Sequence, residues 1–303
     1  MKQVQHGHSI LKSNCFEVNL RALLRSALQK AVRRGNIEIV EKVAGKLALM
    51  SDSSWLNSRA QIILFEECWR DAKLLAKSTP SIARLSSIAS KTKNKSAAGL
   101  GTLAHALVEG DYSVLDFAPE RKALKIVAAA CERPNDFFRW AIDLAPPEDH
   151  SFVYAAKRAF SQASWPWDKA FVLAGTYFTV TEKPALASET YATVPPFPYW
   201  VAIDKHTKPG KLAFRRAAVD LRISETLLSW SSFYFEGAKT NAVDPSLWWD
   251  AELYWRFATV KSSPEDAQNL WRNVIARIQH EVRSESAALK EVIEGCKFGL
   301  LRD

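Results

Sequence analysis

Apolar residues recur at helical spacing along most of the chain. Between positions 18 and 34 they fall at Leu20, Leu23, Leu24, Ala27, Leu28, Ala31 and Val32, which predicts an amphipathic helix. Arg33 and Arg34 suit its last turn, and Gly35 reads as its left-handed stop. The same reading predicts helices over 37–50, 55–69, 80–90, 97–108 and 119–131. Further helices are predicted from Pro134 through Trp140, then over 148–161, 212–221, 224–236, 245–259 and 264–294. Gly99 and Gly101 permit close packing of their helix. Gly110-Asp111 and Pro146-Pro147 are stops, and Ser224 and Ser263-Pro264 are starts.

One run is ambiguous. FVLAGTYFTVT, 171–181, is β-branched and aromatic enough for a strand. With no partner strand nearby it is read as helix. The pattern therefore predicts an all-α fold, a multi-helix globular array of packed helix pairs. No fixed repeat period marks it as a solenoid. A Pro-rich boundary at 184–198 separates an N-terminal region, 1–183, from a C-terminal one, 184–303, or interrupts one continuous domain.

The stretch that breaks the pattern is PPFPYWVAIDKHTKPGK, 195–211. It sets Asp204, Lys205, His206 and Thr207 side by side between proline-containing turns. Phe197, Tyr199 and Trp200 precede them and Lys208 and Lys211 follow. A carboxylate can stabilise developing positive charge or hold a water, and an imidazole is suited to moving protons near neutral pH. Thr207 can bind a phosphate or cap the following helix. The alternative is a capping turn with a structural histidine.

Composition adds direction. The 303 residues are 48% hydrophobic and 24% charged, an ordinary globular balance. A net charge of +8 favours a polyanionic partner. Candidate phosphate ligands are Lys30, Arg33 and Arg34 at a helix end, Lys91, Lys93 and Lys95 in a basic loop, and Lys205, Thr207, Lys208, Lys211 and Arg215 around the central stretch. Phe197, Tyr199 and Trp200 could wall a pocket for an extruded base, although cores use aromatic residues too. Glu66 and Glu67 end an apolar helix. One of them should face inward, as a possible acid or as the partner of Arg59 or Arg70. Glu236, in an aromatic run before Gly237, is a similar candidate.

Other classes are disfavoured. No apolar run is long enough to span a bilayer, and the N-terminus lacks the apolar core of a secretory signal. Cys15, Cys68, Cys131 and Cys296 are scattered, which reads as reduced, mostly buried thiols in a cytoplasmic protein. His6 and His8 could ligate a metal but read as a flexible end. Asp204 and His206 lack an identifiable third ligand, so no metal or other cofactor is expected.

SALQKAVRRGN, 26–36, and IILFEECW, 62–69, resemble the C-terminal helical region of the MgsA/RarA family of clamp-loader-like AAA+ proteins. AIDKHTKPGK, 202–211, and FYFEGAKTN, 233–241, are similar to a pattern in small stand-alone proteins built from that region. The resemblance implies a helical fold, association with DNA metabolism and room for a homo-oligomer. No G-x-x-x-x-G-K-[ST] is present, so P-loop ATP hydrolysis is not expected. Where the family has Ser-Glu-Asp, this chain has Phe65-Glu66-Glu67.

Together these features favour a DNA-processing enzyme, specifically a DNA glycosylase serving repair or defence against phages with modified bases. Asp204 is its expected carboxylate, His206 its proton mover or phosphate contact, and Glu66 and Glu236 are further catalytic candidates. The rival is a non-catalytic DNA-binding and oligomerisation module. A nuclease would need a carboxylate cluster for a metal, which the sequence does not display.

Overall fold

The chain's helices begin and end where local chemistry tells them to. In the computed structural model, which describes residues 5–76, 80–182, 185–190 and 194–296, with side chains from residue 19 onward, α1 spans Gln5–Arg33. Gly35 follows at φ 68°. Its N–H donates to Val32 O at 3.1 Å, and the next N–H, of Asn36, to Ala31 O at 2.9 Å. That pair of bonds is a Schellman stop. Asn36 then caps α2 (Ile37–Leu49), its side chain accepting from Ile39 N at 3.1 Å. His6, His8 and Cys15 fall outside the described side chains.

The first region continues with α3 (Ser53–Cys68), α4 (Ala72–Leu75), α5 (Ser81–Ser90), α6 (Ser96–Val108), α7 (Val114–Phe117), α8 (Arg121–Glu132), α9 (Pro134–Leu144), α10 (His150–Gln162) and α11 (Pro166–Thr181). The second holds α12 (Lys208–Leu221), α13 (Glu225–Ser232), α14 (Leu247–Thr259), α15 (Pro264–Glu281) and α16 (Arg283–Glu294). The all-α reading holds. The exception among the described residues is a two-residue parallel pair, β1 (Lys93–Asn94) beside β2 (Val243–Asp244), with Lys93 opposite Val243. No helix among the described residues is long and apolar enough to cross a membrane.

The ambiguous run is helix, as α11, and the structure shows why its pattern misleads. Residues from Val172 to Thr179 are buried in unbroken succession, so no polar face interrupts the run. Thr176, Thr179 and Thr181 each donate a hydroxyl to the carbonyl four residues back, at 2.7 Å. Strand-like residues are thereby satisfied inside a helix whose middle, 172–179, is enclosed.

α6 lies at the centre, packed by α8, α11 and α14. A Cβ on Gly99 would lie 2.2 Å from Trp248 O, so this position lets α14 approach as the sequence suggests. The main core crosses the Pro-rich boundary. It joins Leu24, Leu28, Phe65 and Leu100 to Phe197, Val201, Ile203, Trp255, Val282 and Ile293. A smaller cluster of Phe214, Leu228, Trp271 and Ile278 joins α12, α13 and α15.

The expected elements differ in three places. The helix over 264–294 breaks at Val282, which leaves helical geometry (φ −106°, ψ 16°) to bury its side chain in the main core. The helix over 224–236 ends at Ser232 and widens into a π turn, Phe233–Gly237, where Ala238 N donates to Phe233 O at 2.7 Å. The basic loop at 91–96 is instead strand β1 and the start of α6, and much of it is buried.

Candidate functional site

The central stretch folds as a short 3-10 turn, Tyr199–Ala202, followed by a tight capping turn into α12. Thr207 is the N-cap. Its Oγ1 accepts from Gly210 N at 3.2 Å and donates to Asp204 O at 2.9 Å. A Cβ on Gly210 would fall 2.0 Å from Asp204 O, so glycine alone leaves room for the turn. The Asp204 carboxylate closes it from the other side, accepting from His206 N at 2.9 Å and meeting His206 Nδ1 at 3.1 Å. The capping-turn reading and the site reading thus describe the same atoms.

What the sequence does not reveal is Lys30. From α1 its ammonium donates to Asp204 Oδ2 and, at 2.8 Å, to Ser26 Oγ. Burial pushes the Asp204 carboxyl up, but Lys30 and then His206 outweigh it and hold it well below the usual carboxylate range. Burial also lowers the Lys30 ammonium, with Asp204 opposing. At neutral pH Asp204 is therefore a fixed anion. Its side chain is 14% exposed, against 64% for His206.

Asp204 and His206 line a cleft at the seam between the main core and the α12–α13–α15 cluster, with Lys30 behind Asp204. Trp200, Phe214 and Phe233 form apolar walls, and Lys205, Ser229, Ser232 and Glu236 contribute polar groups. Trp200 and Phe214 both stack on Trp271, with centroids 6.4 and 6.5 Å away. The π turn carries Glu236 into the cleft, where Arg34 holds it through Oε1 at 2.7 Å and its carbonyl at 2.9 Å. The space open to the centre of a water molecule is about 20 Å³, room for one or two waters. A nucleobase enters only if the walls part.

Lys205, half-buried, is held differently from the buried lysines. Its Nζ sits 3.3 Å from the Trp230 ring centre and 5.3 Å from that of Phe233. The Arg256 guanidinium lies 4.2 Å from the same Trp230 ring. Burial, then the charge of Arg256, lowers the Lys205 ammonium to about 8. No sequence spacing connects Trp230 or Arg256 to Lys205. The aromatic run before Glu236 was the available signal for the wall.

The expected phosphate ligands divide sharply. Lys30, Arg33, Lys93 and Lys95 are buried, and Arg34 is largely so. Arg33 donates to Glu67 Oε1 and Glu66 Oε1, each at 2.5 Å, and to Gly237 O at 3.2 Å. Lys95 meets Glu67 Oε2 at 2.5 Å. Lys93 donates to Ala89 O at 3.1 Å and Lys91 O at 2.5 Å. Lys91 pairs with Glu189 at 2.7 Å. The buried cations are committed to internal partners and present no phosphate-binding face. Lys208, Lys211 and Arg215 on α12 are exposed.

The base-pocket and acid candidates also change. Phe197 and Tyr199 are buried in the main core, and the Tyr199 hydroxyl donates to Glu294 at 3.3 Å. Of that trio only Trp200 lines the cleft. Glu66 and Glu67 both face inward, but as ion-pair partners. Glu66 Oε2 accepts from Arg59 at 2.8 Å, while Arg70 pairs with Asp244 at 2.5 Å. Burial raises the Glu67 carboxyl, but Lys95 and Arg33 overcome it and bring it down to about 2. The raised acid is instead Glu252, on α14, which burial pushes up to about 7 against the opposing charge of Arg256, 3.9 Å away. Its Oε1 accepts from the Tyr234 hydroxyl at 2.6 Å.

Comparison of the chain with protein-family models, with curated proteins and with solved structures gives no match.

Proposed function

We propose that this protein is a DNA-binding enzyme that extrudes a base and cleaves its N-glycosidic bond, a DNA glycosylase. The observation that carries the reading is the Asp204 carboxylate, kept anionic by buried Lys30, in an aromatic-walled cleft that also receives Glu236. Cleavage of an N-glycosidic bond builds positive charge on the sugar. A preorganised anion in a poorly hydrated cleft stabilises that charge most where it develops. Glu236 orients the attacking water, and exposed His206 hands a proton to the leaving base or contacts the flanking phosphate.

Exposed Lys208 and Lys211 stand at the start of α12, where the helix N-terminus itself favours a phosphate. The backbone is thereby held beside the mouth of the cleft. The small free volume makes extrusion an induced step, with Trp200 and Phe233 as walls that part and then stack on the base. The resemblance of the central stretch to stand-alone relatives of the MgsA/RarA helical region supports a DNA substrate, and with it a cytoplasmic location.

The test is release of free base and formation of abasic sites from duplexes carrying plain or modified bases. Wild type is expected to act on a subset of these. Glu236→Gln is expected to lower the rate by about two to four orders of magnitude with the fold intact by circular dichroism. Absence of release from every duplex, or full activity in both Asp204→Asn and Glu236→Gln, overturns the reading.

A second reading has its own observation. Arg33, Glu66, Glu67 and Lys95 are ion-paired with one another in the interior, as a rigid DNA-binding and assembly module needs. It predicts salt-sensitive binding, a stable oligomer by light scattering and no base release.

A further inference from the structure

Lys205 lines the cleft beside Asp204, yet among the described residues no carboxylate lies within ion-pair distance of its Nζ. Lys30 has Asp204 and Lys95 has Glu67. Lys205 has only the faces of Trp230 and Phe233, with Arg256 crowding the same Trp230 ring. Rings hold an ammonium weakly compared with a carboxylate, and a neighbouring cation disfavours it further. The amine can therefore leave its platform without breaking a salt bridge.

We propose that Lys205 is a nucleophile that forms a Schiff base with C1′ of an abasic deoxyribose, so that the protein also nicks abasic DNA. This rests on the base-excision reading for the arrival of the sugar in the cleft. The neutral Nζ attacks the C1′ aldehyde of the ring-opened sugar. The carbonyl oxygen takes up protons and leaves as water, and a protonated imine remains. Solvent removes a C2′ proton, a C2′–C3′ double bond forms, and the C3′–O bond breaks as the 3′ phosphate departs with the electron pair. Water then hydrolyses the imine and restores the amine. Asp204 is the nearby fixed anion that balances the iminium charge. The lowered ammonium of Lys205 is in keeping with this role, because it supplies more neutral amine at physiological pH than a solvated lysine.

The experiment uses the full chain and a duplex containing one pre-formed abasic site, at DNA concentrations shown by fluorescence anisotropy to saturate the protein. Sodium borohydride is added to reduce any imine. The expected result is a covalent protein–DNA band, mapped by peptide mass to Lys205, and strand cleavage without borohydride. Lys205→Arg keeps the cation on Trp230 but is expected to lose both the band and the cleavage at DNA concentrations shown to saturate that variant too. Lys205→Met, whose thermal melt shows whether it folds, is the second variant. A wild type that forms no band, a band mapped elsewhere, or a band undiminished in Lys205→Arg overturns the proposal. Base release from intact duplexes without trapping overturns it while sparing the base-excision reading. Trapping on abasic DNA without any base release supports it and removes that reading.

Discussion

Two ion clusters start from neighbouring turns of α1 and come to opposite ends. Arg33 enters a closed cluster, in which Glu66 and Glu67 are gripped by Arg33, Arg59 and Lys95 and Arg59 reaches on to Asp168 at 2.7 Å. Three residues earlier on the same helix, Lys30 enters an open cluster. Its partner Asp204 continues to a largely exposed His206 and adjoins Lys205, whose ammonium rests on rings and meets no carboxylate among the described residues. Both clusters contain acids and bases in the proportions expected of an active site. The difference is charge pairing: each charged group of the closed cluster meets an opposite charge within it. A cluster whose charges pair internally fixes the register of helices, whereas one with a solvent-facing imidazole and an amine that meets no carboxylate among the described residues retains capacity for a substrate.

The comparison breaks most easily at Arg33. Arg33→Met leaves Glu66 and Glu67 short of a cation in a dry interior, and is expected to destabilise the fold by about 3–5 kcal/mol in urea denaturation. A loss below about 1 kcal/mol with base release abolished would make the closed cluster the site. Acid titration of wild type gives the matching sign. The Glu67 carboxyl is depressed in the fold, so its stabilisation is full above its unfolded value of about 4.3. It is lost as pH falls from there towards about 2.

Glu252 is buried like Glu67 but raised rather than lowered, to about 7. Between the unfolded value of about 4.3 and that point the folded state holds a proton that the unfolded state has released, so stability declines as pH rises. Glu252→Gln keeps the acceptor for Tyr234 and removes the charge. It is expected to stabilise the protein by about 3–4 kcal/mol at pH 8, shrinking to nothing below about pH 4. Melting curves of both proteins across that range check it.

Local chemistry was legible in the chain; long-range pairing was not. The stop at Gly35 and the caps at Ser224 and Ser263 are written in neighbouring residues, and the structure uses each. Thr207 was legible as a cap for the same reason. Lys30, Arg33 and Arg34 instead look like a solvated basic face, because their partners lie at Asp204, Glu66, Glu67 and Glu236. Lys30 and Asp204 are 174 positions apart. Nothing in KTKNKS marks Lys95 for the interior, since its burial depends on Glu67 being there to meet it. The break at Val282 lacks a glycine or proline and is imposed by the core.

Lys205→Met tests the open cluster by its stability. The Lys205 ammonium is lowered in the fold, so its cost is full below about 8 and is relieved as pH rises towards the unfolded value of about 10.4. Relief of that cost is worth about 3 kcal/mol at pH 7 and loss of the ring contacts takes back about 1–2, so removal is expected to stabilise by about 1–2 kcal/mol while abolishing imine trapping, the exchange of stability for chemistry expected of a working group. If melting shows destabilisation instead, the cation on Trp230 is structural and the two clusters are alike.

The smallest effect belongs to the rim, and it separates phosphate contact from everything inside. Lys211 is exposed on the second turn of α12 and engages no carboxylate within ion-pair distance among the described residues. A lysine that neutralises a phosphate releases condensed counterion, so Lys211→Ala is expected to flatten the plot of log affinity against log salt by about 1. Affinity falls similarly on every duplex sequence, because backbone contacts carry no base information. Stability should be unchanged within about 0.5 kcal/mol. The control is a comparably exposed residue far along the chain, Lys122→Ala on α8, which should leave the slope alone. Equal slopes for Lys211→Ala, Lys122→Ala and wild type mean that DNA does not lie across the start of α12. The open cluster would then have no polyanion beside it, and the distinction between the two clusters would rest on Lys205 alone.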